Sequence, residues 1–470
     1  MASAQDAALD RPTKPAVESE GISYGKGAAL LSLLIGVTGL LTYAFHSLVA
    51  HELGAEGYGV IGVLWAAVFL TASVIYRPVE QLLSRTIAEH QAQGRSAGHA
   101  LRVAATIQLG LAALFAVVAL LLKDTIEDKL FSGSTTLFWC LMAAVIFYAA
   151  SYFARGFLAG QRRFGLYGGL VMMEASSRVV IALLLVVGVL NGEDVAAIAI
   201  AAAPLLSLIV VPWALGGQVR RLSGSGARQD GSGEAEFTMT RGLGFAGAVL
   251  LIMISEQAIL NSGVLIVKLD TGNNELAALI FAVLMIARAP LQLFQAVSTT
   301  LLPHLTRLMV REGRSAREGD FGQSVRLTVT ACLGFGVIAV IVMLLVGPAV
   351  MRLLFGDEFD YDRIGLAMVA GGMGLYLAAT TLNQAVLAQG RARLASSCWA
   401  VSAALFVVFL LVASMEEVRE VEVAFLITAC LLVSCLYAVY RRPLERAEEP
   451  VRPGSVEELE ARLAAADEGT

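Results

Sequence analysis

Twelve apolar segments, each long enough to cross a bilayer as a helix, dominate this chain, at about 27–50, 59–84, 100–122, 134–157, 165–190, 195–216, 243–267, 276–302, 324–347, 364–388, 393–414 and 421–440. A helix needs about 20 apolar residues to span the hydrocarbon, and within lipid its backbone donors and acceptors must be satisfied inside the segment. Of the 470 residues, 57% are hydrophobic and 16% charged. A soluble domain carries about 45–50% apolar and about 25% charged residues, so the balance fits a surface that faces lipid. The expected fold is an all-α polytopic membrane protein with about 12 transmembrane helices.

Orientation follows from where lysine and arginine lie, because short loops rich in them stay cytoplasmic. With the N-terminus inside, the cytoplasmic loops carry Arg85, Arg95 and Arg102, then Arg155, Arg162 and Arg163, then Arg220, Arg221, Arg228 and Arg241. Further on come Arg307, Arg311, Arg314, Arg317 and Arg326, then Arg391 and Arg393, with Arg441, Arg442 and Arg446 after the last span. The opposite loops hold only Lys123, Lys129, Lys268, Arg352, Arg363 and Arg419, and they are short and acidic. A missed helix would invert this alternation, so its regularity supports the number of spans as well as the direction. The expected location is the bacterial cytoplasmic membrane, multi-pass, with both termini cytoplasmic.

The glycine- and serine-rich stretch Gly216–Arg241 reads as a flexible linker. It divides the chain into an N-terminal tail (1–24), a first set of six helices (25–219), a cytoplasmic linker (220–241), a second set of six (242–440) and a C-terminal tail (441–470). The halves echo each other: Phe157-Leu-Ala-Gly-Gln-Arg162 closes the fourth span, and Val386-Leu-Ala-Gln-Gly-Arg391 closes the tenth. Internal repeats of this kind are a recurring transporter plan, with the substrate path between the repeats. In the tail, Ser455 and Glu458 form a capping-box pattern that predicts a short surface helix. The N-terminus is polar through Glu20 and the first apolar run is long, so the first span is expected to act as an uncleaved membrane signal. The cysteines Cys140, Cys332, Cys398, Cys430 and Cys435 all fall in apolar runs. They read as small hydrophobes, without a disulfide framework or metal spacing.

A charge near the bilayer centre costs at least about 2.5–3.5 kcal/mol on insertion scales, so those that persist are candidates for function. The second span holds Arg77, Glu80 and Gln81; the fifth, Glu174 and Arg178; the seventh, Glu256 and Gln257; the eighth, Arg288, Gln292 and Gln295; His46 lies toward the outer end of the first. Arg288 sits close to mid-depth, with Gln292 one turn on. It either lines an aqueous cavity that binds an anion or forms an inter-helix pair. Arg178 lies one turn beyond Glu174, a spacing that also permits mutual neutralisation. Arg77 directly precedes Pro78, which kinks a helix, and snorkelling toward the inner head groups is the plainer account of its position. Glu256 is placed to carry a proton or to pair with an arginine. Phosphate-loop, zinc-protease and serine-nucleophile motifs are absent from the sequence, and no large loop is available for soluble chemistry. An enzyme is therefore not expected, no cofactor or metal is expected, and nothing points to nucleic acid.

Several local patterns occur in register with this topology. Leu53-Gly54-x-x-x-Tyr58-Gly59 follows the first span, and Ser84-Arg85-x-x-Ala88-Glu89 leaves the second. Arg155-Gly156-x-x-x-Gly160-x-x-x-Phe164 closes the fourth, Ala287-Arg288-x-Pro290 and Leu302-Pro303 mark the eighth, and Asn383-Gln384 with Gln389-Gly390-Arg391 mark the tenth. In these the chain resembles the bacterial oligosaccharide-lipid flippases of the multidrug/oligosaccharidyl-lipid/polysaccharide exporter superfamily. The resemblance implies two six-helix lobes around a central cavity that opens alternately to each side. It further implies a cationic cavity in which arginines, here Arg77, Arg178 and Arg288, hold the phosphate or pyrophosphate of an undecaprenyl-linked glycan; Glu174 and Glu256 read beside them as coupling groups or charge partners. The partners it implies are the lipid-linked glycan, membrane lipids, and the polymerase and glycosyltransferases of polysaccharide synthesis. The alternative within the superfamily is an ion-coupled multidrug exporter. Such exporters usually carry an acidic residue in the first helix, where this chain has only His46.

Overall fold

A computed structural model describes residues 14–92, 98–212, 239–312 and 318–443. Their helices are α1 (Lys14–Ala92), α2 (Gly98–Leu121), α3 (Lys123–Leu130), α4 (Thr135–Gly160), α5 (Phe164–Val186) and α6 (Glu193–Ser207) in the first half. The second half comprises α7 (Met239–Thr271), α8 (Asn274–Glu312), α9 (Asp320–Phe355), α10 (Arg363–Ala388), α11 (Ala392–Val412) and α12 (Glu417–Arg441). Most of the linker, the first residues of the chain and the C-terminal tail with its Ser455–Glu458 motif lie outside the described residues.

Helix α1 spans twice. Gly54 breaks it with φ 67° and ψ −174°, a backbone conformation in the left-handed half of φ space that glycine adopts without steric cost. The two arms of α1 are therefore the first and second spans, and α3 is a short surface helix rather than a span. Residues 30–91 and ten further helices are long and apolar enough to cross a membrane, so twelve crossings result.

In the first lobe α4 and α5 pack on α1, and α6 lies against both. In the second lobe α10 packs between α9 and α12, and α11 packs against α7 and α12. The lobes meet where α1 lies along α7 and α8. Outward-facing Leu109 and Leu114 on α2, and Leu345 and Leu353 on α9, stay exposed. Apolar surface this continuous is stable only against lipid or a partner. One face of the bundle carries the arginine-rich turns and is called the basic face. The other carries the turns at 131–134, 187–192, 272–273 and 356–362 and is called the acidic face.

One expectation from sequence needs correction. Cys398 on α11 and Cys435 on α12 are joined as a disulfide, with their Cα atoms 5.9 Å apart. Their separation of 37 residues carries no signal until the two helices are known to be neighbours.

Candidate functional site

Between the lobes lies a cavity of about 290 Å³, extending from mid-depth toward the basic face. Its wall brings together Arg77, Glu80, Arg178, Arg288, Glu174 and Glu256, all named from sequence as intramembrane charges, and adds Arg155. Charged groups shielded from bulk water interact strongly, so their order along the wall decides what the cavity can hold.

The order is alternating. Glu174 on α5 is 3% exposed and accepts from Arg178, one turn further along, and from Arg155 on α4. Tyr148 Oη completes the carboxylate's environment at 2.5 Å. The Arg178 guanidinium lies over the Trp65 ring at 5.0 Å, and Arg155 lies over Tyr152 at 4.8 Å. Cation–π contacts of this kind help hold a desolvated guanidinium in place. Beyond Arg155 stands Glu80, which interacts electrostatically with Arg155 and Arg77 and accepts from Tyr167 Oη at 3.1 Å. Arg77, beside Pro78 in the second arm of α1, also lies in the field of Glu256 on α7. Arg178, Glu174 and Arg155 thus form a short ladder of alternating sign in the first lobe, with Glu80, Arg77 and Glu256 further along the same cavity wall.

Arg288 stands outside the ladder. Its Nη1 donates a long bond of 3.4 Å to Asn261 Oδ1, and Asn261 is itself oriented by Gln257 Oε1 at 3.1 Å. Arg288 Nε and Nη2 are buried without a hydrogen-bond partner among the described residues. Leaving buried donors of a charged group unsatisfied is expensive, and such groups in a native fold call for a ligand, an ion or water. One turn earlier, Tyr43 Oη donates to the Met285 carbonyl at 2.6 Å. That bond ties α1 to α8 beside the free guanidinium edge.

The acidic face of the cavity is sealed. The Ala55 N–H donates to Glu358 Oε2 at 2.8 Å. Lys268 Nζ joins Ser132 Oγ (2.9 Å) of the first lobe to Asn274 Oδ1 (2.7 Å) and the Gly272 carbonyl (2.7 Å) of the second. Gly59 abuts the start of α8 so closely that a Cβ there would lie 1.9 Å from the Asn274 carbonyl oxygen. Tyr58 packs against Phe281, Phe355 and Phe359.

Sequence places Arg155 with Arg162 and Arg163 in a basic cytoplasmic loop. It faces inward because α4 continues as helix to Gly160. The signal that could have placed it is Gly156, whose lack of a side chain lets α4 approach the α1 backbone at Glu80. His46 is fully buried, with both ring nitrogens unpartnered. It packs against Phe45, Tyr58, Trp65 and Phe281 and is not on the cavity wall. The side chains of Gln292 and Gln295 lie outside the described residues.

No family model matches the chain. It is 27% identical over 403 residues to uncharacterized proteins of Mycobacterium bovis and Mycobacterium tuberculosis, covering 82% of this chain and 86% of each relative. Among solved structures, an inward-facing multidrug resistance MATE family transporter of the MOP superfamily aligns over 94% of this chain and 99% of its own, with TM-score 0.63 and 12% identity. A mutant of the Vibrio cholerae MATE transporter VcmN aligns over 89% and 97%, with TM-score 0.61 and 18% identity. An outward-facing MATE transporter aligns over 89% and 95%, with TM-score 0.55 and 14% identity. The chain has the MATE fold.

Proposed function

We propose that this MATE-fold chain is a flippase. It moves a glycan linked to a polyprenyl phosphate-type lipid across the bacterial cytoplasmic membrane by alternating access. The observation that carries this reading is Arg288, a cavity-lining guanidinium whose buried Nε and Nη2 have no hydrogen-bond partner among the described residues. Guanidinium matches phosphate oxygens with a planar fork of donors, giving charge-assisted, bidentate bonds. The lipid tail stays in the bilayer while the phosphate and sugar occupy the cavity.

With the basic face cytoplasmic, the sealed acidic face makes this the inward-open state, ready to load from the side where lipid-linked sugars are made. Transport then requires the Ala55–Glu358 and Lys268–Ser132 bonds to break as the lobes rock, while contacts form on the basic side. The boundaries 25–219 and 242–440 are the proposed rigid halves. Arg77 is the proposed second phosphate contact, Arg178 holds the wall through Glu174, and Glu256 is the group positioned to couple a proton or release Arg77. The proposed partners are the glycosyltransferases and polymerase that make and consume the glycan.

A second reading has specific support. Some of the solved neighbours are multidrug resistance transporters, and Glu80 and Glu256 beside the cavity aromatics Trp65 and Phe69 could receive a lipophilic cation. Deletion of the gene separates the two readings. The flippase reading expects loss of a surface glycan, restored by wild type and by Arg288→Lys in part, but not by Arg288→Ala, with drug susceptibility unchanged. Unchanged glycan with heightened drug susceptibility would establish the exporter instead.

A further inference from the structure

Away from the central cavity, the basic face carries a second concave, charged site on the outside of the second lobe. Arg326 lies six residues into α9 from Asp320, about 9 Å along the helix. It is exposed and makes no hydrogen bond or ion pair with the other described residues. Leu327 and Leu333 of the same helix are exposed as well. An arginine on an apolar, outward-facing helix needs an anion or a route to the head groups. Arg326 shares the wall of a cavity of about 640 Å³ with Arg441, the last residue of α12. Helices α9 and α12 both pack on α10, and the groove runs between them with Leu382 of α10 in its lining. Because Arg441 ends its helix, the two guanidinium groups mark the level at which hydrocarbon gives way to head groups.

The groove is held in shape. Arg391 Nη1 donates to the Val439 carbonyl at 2.9 Å and to the Arg442 carbonyl at 3.0 Å, fixing the end of α12. Arg441 Nη1 donates to Tyr437 Oη at 3.4 Å, and Tyr440 stacks on Phe321 of α9 at 6.4 Å. Tyrosines at this level are typical of the membrane interface. Against two arginines the described lining residues set one carboxylate, Glu318, which precedes α9. One turn deeper than Arg326 stands the Thr330 hydroxyl, and Val329 and Leu382 supply apolar lining. We infer that this groove binds an anionic glycerophospholipid of the leaflet on the basic face, with its phosphate between Arg326 and Arg441 and its acyl chains over Val329 and Leu382. The order of the wall (cation, hydroxyl, hydrocarbon) is the order of phosphate, glycerol ester and acyl chain in such a lipid. Guanidinium groups form charge-assisted bonds to phosphate oxygens, and basic pockets between membrane helices favour anionic head groups. A zwitterionic lipid brings its own cation against the arginines, and a soluble anion leaves the apolar lining unused. A lipid seated there ties α9 to α12 across α10. The site is independent of what the central cavity carries.

The test is native mass spectrometry of the full-length protein in detergent, titrated with phosphatidylglycerol or phosphatidylcholine of identical acyl chains. Wild type should retain phosphatidylglycerol over phosphatidylcholine by on the order of tenfold, the worth of a charge-assisted hydrogen bond. Arg326→Gln and Arg441→Gln should each narrow that ratio, and the double variant should abolish it. Arg393→Gln, at an exposed arginine of the same face that is outside the groove lining, should leave it intact. Phosphatidylglycerol should also raise the melting temperature of wild type more than that of the double variant. Equal retention of the two lipids by wild type overturns the inference. So does a preference that survives the double variant, or one that Arg393→Gln removes to the same extent, which would mark a diffuse effect of the basic face. Stronger retention of farnesyl phosphate than of phosphatidylglycerol would make the groove a polyprenyl-phosphate site and overturn the phospholipid assignment. The wild-type ratio is decisive even where a variant fails to fold.

Discussion

Glu174 and Arg288 show how two buried charges can have opposite roles. Glu174 has every oxygen engaged by Arg155, Arg178 and Tyr148, so it organises the wall and is unavailable to a ligand. Removing it strands two guanidinium groups in a poorly solvated site. Glu174→Ala should therefore destabilise the protein by about 3–5 kcal/mol, as for other broken buried pairs, measured as a large drop in the melting temperature of the purified protein. Arg288→Ala should leave that temperature unchanged or raise it, because it deletes unsatisfied donors rather than a partner. His46 allows a further check. Its two buried, unpartnered ring nitrogens sit in an aromatic box, and each unsatisfied polar group costs about 1–3 kcal/mol. His46→Phe keeps the edge-to-face packing and should raise the melting temperature. A decrease would mean that the imidazole nitrogens bond a partner in another state of the transport cycle.

Among the elements, the seam between the second arm of α1 and the start of α8 controls the closed acidic face. Gly59 is required there because of the Asn274 carbonyl. Gly59→Ala should push the arms apart and favour the state open to the acidic face. A cysteine introduced at Thr42 on the cavity wall, with the native free cysteines replaced, should then react faster with a membrane-impermeant thiol reagent added on that side. At the same face Asp362 caps α10 by accepting from the Gly365 N–H at 3.2 Å and pairs with Arg419 at 2.8 Å. The Arg419 hydrogen bond holds the Asp362 carboxyl below the usual carboxylate range. Its contribution is therefore present above an ordinary aspartate pKa of about 3.9 and is lost as pH falls through the lowered folded value. Asp362→Ala should cost about 0.5–2 kcal/mol, the usual worth of such a cap, and the difference from wild type should shrink in that acidic range. The helices themselves were legible from hydropathy, because length and apolarity are all that a spanning helix requires. The interruption between the first two spans was legible as well, and it falls at Gly54; the surface helix α3 and the inward turn of Arg155 were not, since each depends on which neighbour lies alongside. The disulfide between Cys398 and Cys435 was hidden for the same reason.

For the molecule as a whole, the alternation of basic and acidic turns could be read from the chain, and so could six of the seven charged groups that line the cavity. Ionisable residues in apolar spans are conspicuous in sequence because lipid tolerates so few of them. The one-turn spacing of Glu174 and Arg178 already permitted their pairing, but the convergence of Arg155 on the same carboxylate was not visible. Arg178 has a carboxylate one turn away in Glu174 and pairs with it, whereas Arg288 has only Gln292 one turn away and no carboxylate partner among the described residues. That difference leaves Arg288 as a cavity guanidinium open to a ligand under the proposed function, between two lobes joined at the acidic face. Alternating access needs this combination: a central ligand group, a seal on one side, and a substrate whose binding free energy is shared by both lobes.

The most direct measurement is translocation itself. The protein is reconstituted into liposomes with a fluorescent polyprenyl-phosphate-linked sugar, and dithionite quenching reports the fraction of label exposed outside. The account predicts that wild-type vesicles lose nearly all fluorescence as label exchanges between leaflets, while Arg288→Ala vesicles stop at about half, the outer-leaflet share. Quenching of Arg288→Ala vesicles to the wild-type extent and at the wild-type rate would contradict it.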